Sequence, residues 1–566
     1  MSANELRKKF LEFFKSRGHA IVLSSSLLPD DPSVLLTTAG MQQFKKYYTG
    51  EADPMRDFKY KNTASIQKCF RTSDIDEVGD ERHNTFFEML GNFSFGGYFK
   101  KEAISYGKDF FDSIGLEIEY VTVFAGDKNV PFDEESFNFW ENLGIRDIRK
   151  CGREDNFWGP TGAEGPCGPT TEIYINGVEV WNIVFNEFYQ LKDGTLEKLK
   201  TPGVDTGMGL ERLAMVSQGK RNIFETDLFL PILDILPGTI SERQRRIISD
   251  HLRASAFLLS DGVSPSNKEA GYILRRLLRR ALVYEYINFL NPQIFESAII
   301  EAIKIYGNFY PELKHRRDDI INAYWAEREK FSKTLSRGIK ELEKNENITS
   351  EKAFSLYETF GLPYEIIKEF SGAKSSSLTR ESFDKEFGKH QEKSRAGAAG
   401  KFGGHGLLLN TGELKAKDEE ELKKVTRLHT ATHLLQAALR KILGENVRQM
   451  GSDITVERTR FDFSFPRKLT IDEIKKVEDL INEAISRKLK VKMEEMDIEE
   501  AKRSGALYFF KEKYPAHVKV YSAGDFSKEL CGGPHVKNTQ DIGKFVIIKE
   551  EASASGVRRI RGKIIP

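Results

Sequence analysis

The stretch CFRTSDIDEV at 69–78, followed by RHNTFFEMLGNFSFG at 82–96, decides how the rest of the chain is read. It reads as a strand leading into Arg71, a polar loop, and a second strand returning through Phe86 to Leu90. Such a hairpin puts Arg71 and either Arg82 or His83 on one side, ready to grip an anion. A lone arginine on a surface hairpin is more often a solvated charge, so the surroundings decide. Downstream, VDTGMGLERL at 204–213 sets Gly207 and Gly209 directly before a helix expected to begin near Leu210. Close backbone approach, a helix N-terminus and Arg212 in the first turn suit a phosphate. A glycine pair before a helix fits a structural turn just as well.

Together the two segments are far more specific. They resemble motifs 2 and 3 of class II aminoacyl-tRNA synthetases, in the form found in alanyl-tRNA synthetases. SSSLLP at 24–29 with TTAGMQQF at 37–44 is similar to the motif 1 region of that family. NFWG at 156–159, GPCGPTTEI at 165–173 and VWNIVFN at 180–186 extend the match, which is almost continuous through residue 290. The resemblance implies an antiparallel β-sheet catalytic domain with flanking helices, acting on ATP, alanine and tRNA-Ala. By the same resemblance Arg71, Asp205 and Arg212 are the catalytic residues. Arg71 would hold the α-phosphate, Arg82 and His83 the outer phosphates, and Arg212 the γ-phosphate. Asp205 would accept hydrogen bonds from the alanine ammonium, with Met89 and Trp181 walling the pocket. Mg²⁺ would arrive with ATP, Glu172 being its ligand or neighbour. The chemistry is attack by the alanine carboxylate on the α-phosphorus, then transfer to the tRNA 3′ end, and positioning and charge neutralisation suffice for it. Intact Arg71, Asp205 and Arg212 argue against a synthetase-like chain kept only for binding RNA.

Composition sets outer limits. At 566 residues the chain exceeds one core, and a prior of ~150 residues per domain suggests three or four units. Its 86 Lys+Arg nearly cancel 85 Asp+Glu, so any RNA contact must come from local basic faces. The four cysteines, Cys69, Cys151, Cys167 and Cys531, are too scattered for a secreted disulfide framework. Residues 2–14 read as an amphipathic helix, not a signal peptide, and no apolar run of ~18 residues suggests a membrane span. A cytoplasmic enzyme is expected.

The overall expectation is an α+β multidomain protein. Residues 1–238 form the aminoacylation domain and Leu236-Pro237-Gly238 closes it. Residues 239–395 read at helical period, and the resemblance makes them the tRNA-recognition domain. A Gly-rich and charged linker is expected over 396–424, followed by an α+β editing domain over 425–566. Within the helical region, GYILRRLLRR at 271–280 pairs Arg275 with Arg279 and Arg276 with Arg280 at i,i+4. A solvated basic helix and an RNA contact are about equally supported by that pattern; the resemblance favours RNA.

The last domain carries the other strong pattern. HTATH at 429–433 puts His429 and His433 on one helical face, and CGGPH at 531–535 brings Cys531 and His535 together through a glycine turn. One His-x₃-His is usually accidental, but paired with Cys-x₃-His it makes a tetrahedral Zn²⁺ set. The first motif lacks the glutamate of a zinc peptidase. LHTATHLL at 428–435, QMGS at 449–452, RFDFS at 460–464 and GVRRI at 556–560 resemble the editing domain of alanyl-tRNA synthetases. That implies hydrolysis of Ser-tRNA(Ala) and Gly-tRNA(Ala), with Gln449 touching the substrate. A pocket shaped for a methyl group excludes glycine and serine poorly, which is why editing is needed. Pro534 stands where the family usually has threonine, which puts the efficiency of hydrolysis in question. The chain ends soon after this motif, which suggests a compact, monomeric form.

Overall fold

The computed structural model describes residues 1–29, 34–160, 164–389, 407–408, 415–416, 418–445, 447–465, 467–507, 517–554 and 557–565. Most of the expected linker, at 396–406, 409–414 and 417, lies outside the described residues. The chain forms two compact units, Met1–Phe387 and Gly388–Pro566.

The first unit is built on a nine-stranded sheet. Its strands are β1 (Ala20–Ile21), β2 (Asn62–Phe70), β3 (Phe86–Ser94), β4 (Tyr120–Phe124), β5 (Ile148–Cys151), β6 (Phe157–Trp158), β7 (Gly165–Ile175), β8 (Val178–Gln190) and β9 (Leu196–Gly209). The order is β1-β2-β3-β9-β8-β7-β4-β5, with β6 on β7. Pairing is antiparallel except at the two ends, where β1–β2 and β4–β5 are parallel. Helices α1 (Ala3–Lys15), α2 (Lys100–Ser113) and α3 (Leu210–Ser217) accompany the sheet. Ser2 and Glu5 start α1 with a capping box, and its apolar stripe buries Leu6, Phe10 and Phe14.

Strand alternation then assigns each face. On β8, Trp181, Ile183 and Phe185 point one way, and Trp181 packs edge-on against Phe14 of α1 and Phe110 and Phe111 of α2. Val180, Asn182 and Val184 point the other way, onto the face of Asp205 and Gly207, their register partners being Asp205 for Val184 and Gly207 for Asn182.

Beyond the sheet the chain is helical, with α4 (Glu242–Ser260), α5 (Glu269–Ile287), α6 (Pro292–Tyr306), α7 (Arg317–Lys344) and α8 (Tyr364–Ser371) as main elements. One apolar core runs without a break from Ala3 to Phe383, so sheet and helices share it. Phe86 of β3 stacks on Phe257 of α4 with centroids 3.8 Å apart.

The second unit is α+β. A short hairpin pairs β10 (Leu407–Leu408) with β11 (Lys415–Ala416). Helices α9 (Glu419–Leu443) and α10 (Ile471–Ser486) pack with an antiparallel sheet of β12 (Gln449–Ile454), β13 (Thr459–Ser464), β17 (Lys544–Ala554) and β18 (Val557–Ile565), in the order β12-β13-β18-β17. A second sheet joins β14 (Val491–Asp497), β15 (His517–Ala523) and β16 (Ser527–Leu530). Leu434, Leu435 and Ala438 of α9 fill this core against Phe461, Phe463 and Ile481. Among the described residues no helix is long and apolar enough to cross a membrane.

Candidate active site and metal centre

A cleft opens on the sheet face opposite α1 and α2. Arg71, Arg82, His83 and Arg212 line it, with Phe87, Met89 and Gly207. Arg71 follows β2 directly; its backbone N–H donates to the Thr85 carbonyl at 3.0 Å, closing the hairpin. Its guanidinium lies 4.9 Å from the centre of the Phe87 ring. In the loop, Asp80 Oδ1 accepts the backbone N–H groups of Arg82 and His83 at 2.9 and 2.8 Å. The His83 imidazole is braced by Asp80 on one nitrogen and by Glu77, 2.9 Å from the other. Arg212 sits in the first turn of α3 and donates to the Glu179 carboxylate at 2.9 Å and to its carbonyl at 3.1 Å. Gly207 lets Met89 approach closely, since a Cβ there would come 3.0 Å from Met89 Sδ. The four basic groups expected to bind phosphates thus share one cleft.

Asp205 lies on the same sheet face, two residues before Gly207, and is buried. Burial lifts its carboxyl to about 7, and among the described residues no cation offsets it. A ligand ammonium placed there would supply the missing charge. Tyr48 closes the neighbouring space, its hydroxyl donating to the Val204 carbonyl at 2.5 Å. Met89 lines the cleft, whereas the Trp181 ring is in the core among Phe10, Phe110 and Phe111. The cause is strand parity: position 181 is out of phase with 180 and 182. The tryptophan on the face of Asp205 is Trp158 of β6, packed with Met41, Phe44, Tyr48 and Phe93. Nothing in the sequence pattern separated the two tryptophans. Glu172 accepts from Tyr174 at 2.9 Å and Asn182 at 3.2 Å, and burial lifts its carboxyl to about 7.

The arginines of α5, whose spacing left a solvated face and an RNA contact equally open and which the resemblance favoured for RNA, are instead paired and largely buried. Arg275 and Arg279 both reach Glu327 of α7, at 3.1 and 2.7 Å. Arg276 pairs with Glu365 of α8 and with Asp76, and Arg280 donates to the Ile75 and Val78 carbonyls. All four charges are spent inside the first unit.

In the second unit the structure brings together His429, His433, Cys531 and His535. One ligand atom from each lies within 4.8 Å of the others. His429 Nε2 is 3.4 Å from Cys531 Sγ. The set fits a tetrahedral metal because each imidazole has one nitrogen held outside it. His429 Nδ1 donates to the Pro534 carbonyl at 3.1 Å, and His433 Nδ1 meets Glu529 at 3.2 Å. Thr430 Oγ1 lies 3.2 Å from His535 Nδ1, and His535 Nε2 is buried without a partner among the described residues. An orphaned nitrogen aimed at three other ligands is what a metal would satisfy. Glu529 and the Pro534 carbonyl were missed in the sequence, since neither contact follows a helical or strand spacing. Gln449 begins β12 opposite Phe463 and donates to Ser452 Oγ at 3.1 Å. It does not line the groove beside His535, which Thr426, Arg427 and Lys537 do.

Comparisons with known proteins identify the family. The model of class II (A) tRNA synthetases matches residues 5–461, and that of the threonyl and alanyl tRNA synthetase second additional domain matches 518–561. An alanine–tRNA ligase of Borrelia hermsii is 44% identical over 100% of both chains. One from Treponema denticola is 43% identical over 99% of this chain and 98% of its own, and one from a Thermotoga species is 36% identical over 99% and 80%. With a family model across most of its length and such relatives end to end, the chain belongs to the alanine–tRNA ligase family of class II synthetases.

Proposed function

We propose that this protein is an alanine–tRNA ligase with a second, hydrolytic site that clears tRNA-Ala mischarged with serine or glycine. The observation that carries the reading is one cleft holding Arg71, Arg82, His83 and Arg212 beside the buried Asp205. Residues 1–238 are assigned to aminoacylation, 239–395 to tRNA recognition, and 425–566, beyond the linker at 396–424, to editing. In this reading ATP lies with its phosphates among the four basic groups, accompanied by Mg²⁺. Arg71 neutralises charge at the phosphorus under attack, a task for a donor already in place. Arg212, steered by Glu179, holds the far end of the triphosphate. Asp205 takes the alanine ammonium, and Met89, which lines the cleft beside Gly207, bounds the space for the side chain.

His429, His433, Cys531 and His535 would hold Zn²⁺, which supplies a Lewis acid for hydrolysis of an aminoacyl ester. The chain's own part is to keep the imidazoles neutral and aimed: burial holds His429 down to about 4, and Pro534 and Glu529 fix two of the rings. The absence of a nearby HExxH glutamate favours ester over peptide hydrolysis.

The test is pyrophosphate exchange with alanine, serine and glycine, followed by charging of tRNA-Ala transcripts with G·U or G·C in the acceptor stem. Alanine-dependent exchange, lost in Arg71→Ala, and charging of the G·U transcript alone are expected. No exchange with any of the three amino acids would sink the reading.

A further inference from the structure

The loop between β2 and β3 carries Arg71, Arg82 and His83, yet loops of this kind are ordinarily the mobile part of a fold. Its first turn is a 3₁₀ helix, Ser73–Asp76, that also supplies the cleft-lining Asp74. Asp76, on the same turn, does not line the cleft. It faces the helices and is gripped twice. Arg380 Nε meets Asp76 Oδ2 at 3.0 Å and Arg380 Nη2 meets Oδ1 at 2.8 Å, a two-pronged pair. Arg276 of α5 reaches the same carboxylate at Oδ1. Behind them Glu365 of α8, with its side chain 4% exposed, bridges Arg276 and Arg380. Against the cost of burial, those two arginines hold the Glu365 carboxyl far below its usual range. Arg280 fastens the adjoining backbone at Ile75 and Val78. Gly79, at φ +124°, lets the loop lie against Arg243 and Ile247 of α4.

We infer that Asp76 is a positioning residue for adenylate formation: clamped by Arg276, Arg380 and Glu365, it fixes the loop that aims Arg71 and its neighbours at the triphosphate. The inference rests on the proposed alanine activation. Its physical basis is that a displacement of about 1 Å at a reacting group can cost about 100-fold in rate. The alanine side of the cleft, Asp205 and Met89, stands on strands and does not depend on the clamp.

The opposite flank of α5 offers an internal control. Glu327 clamps Arg275 and Arg279 as Asp76 and Glu365 clamp Arg276, but no cleft residue follows from it. Asp76→Asn and Glu327→Gln are therefore compared in alanine-dependent pyrophosphate exchange and in thermal melting of the full chain. Asp76→Asn is expected to lower the exchange rate at saturating alanine by about 10- to 100-fold. The KM for alanine should stay within about twofold, and Asp76→Glu should recover part of the rate. Glu327→Gln is expected to lower the melting temperature while its rate stays within about twofold. If Asp76→Asn does not fold, Arg380→Lys, which keeps one of the two bonds to Asp76, takes its place. Equal rate losses in both variants, a parallel rise in the alanine KM, or an unchanged rate in Asp76→Asn would each overturn the inference. Failure of the unaltered protein to exchange would instead strike the proposed function itself.

Discussion

Helices α5 and α9 carry the same signal and mean different things by it. In α5, Arg275/Arg279 and Arg276/Arg280 repeat at i,i+4; in α9, His429 and His433 do. Spacing of that kind fixes which side chains share a face and nothing about what the face meets. On α9 the rest of the site was also written in the sequence, as Cys531 and His535 around a glycine turn, and the four donors converge. On α5 the partners are Asp76, Glu327 and Glu365, three acids scattered along the chain with no pattern linking them. Charge density on a helix therefore reads as a nucleic-acid surface only while its counter-charges are out of sight.

The comparison breaks most readily at α9. His433→Ala removes one of the four proposed metal ligands and leaves Glu529 buried beside the gap. A metal Lewis acid contributes several kcal/mol to hydrolysis, so Ser-tRNA(Ala) deacylation should fall by roughly a thousandfold. Metal content by elemental analysis should fall with it, while alanine-dependent exchange is unchanged. Full metal content in the variant would show that the four residues are not one site.

At α5 the expected effect is on stability, beside any loss of exchange rate that follows from loosening Asp76. Arg276→Met strips Glu365 of one cation and leaves Arg380 beside it, so a loss of about 3 kcal/mol is expected by denaturant titration, the low end for a broken buried pair. RNA affinity supplies the sharper reading. An arginine on a phosphate contributes about one unit to the salt slope of binding, and a buried one contributes nothing. A slope reduced by about one in Arg276→Met would restore the RNA-facing reading of this helix.

The same contrast explains how much was legible beforehand. Fold class, the order of sheet and helices, and the convergence of Arg71, Arg82, His83 and Arg212 could all be read because each rests on a long, locally encoded motif. Trp181 was assigned by resemblance to the alanine pocket, but strand alternation turns it towards Phe14 and Phe110, and Trp158 occupies the face of Asp205. A shift of one residue along a strand exchanges core for cleft, and no composition rule registers it. Asp76, Glu179 and Glu529 were invisible for a related reason. Each acts on a residue brought near only by tertiary packing, and a single acid among the 85 Asp and Glu of the chain has no distinguishing neighbourhood.

Glu529 tests that last point directly. Its carboxylate meets His433 Nδ1 at 3.2 Å, so Glu529→Gln weakens the orientation of one ligand without removing it. Loss of such a partner typically costs 10- to 100-fold in metal affinity, readable by competition with a chelator, and deacylation at saturating metal should largely recover. An unchanged affinity would mean that the ring is held by packing alone.

Pro534 carries the smallest expected effect and the finest distinction. The resemblance raised a doubt because proline replaces a residue with a hydroxyl and a backbone N–H. What the structure uses at this position is the one polar group proline keeps: its carbonyl accepts from His429 Nδ1 at 3.1 Å. Metal binding should then be indifferent to the side chain, and Pro534→Thr should leave chelator-competition affinity within about twofold. The hydroxyl and N–H it adds lie one residue from the ligand His535, so deacylation should rise, by an amount about that of one hydrogen bond, or roughly two- to tenfold. A drop in metal affinity of tenfold or more would show that the ring itself, by fixing φ, sets the direction of that carbonyl. In that case the doubt is misplaced: the proline is part of the metal centre, and restoring threonine would harm it.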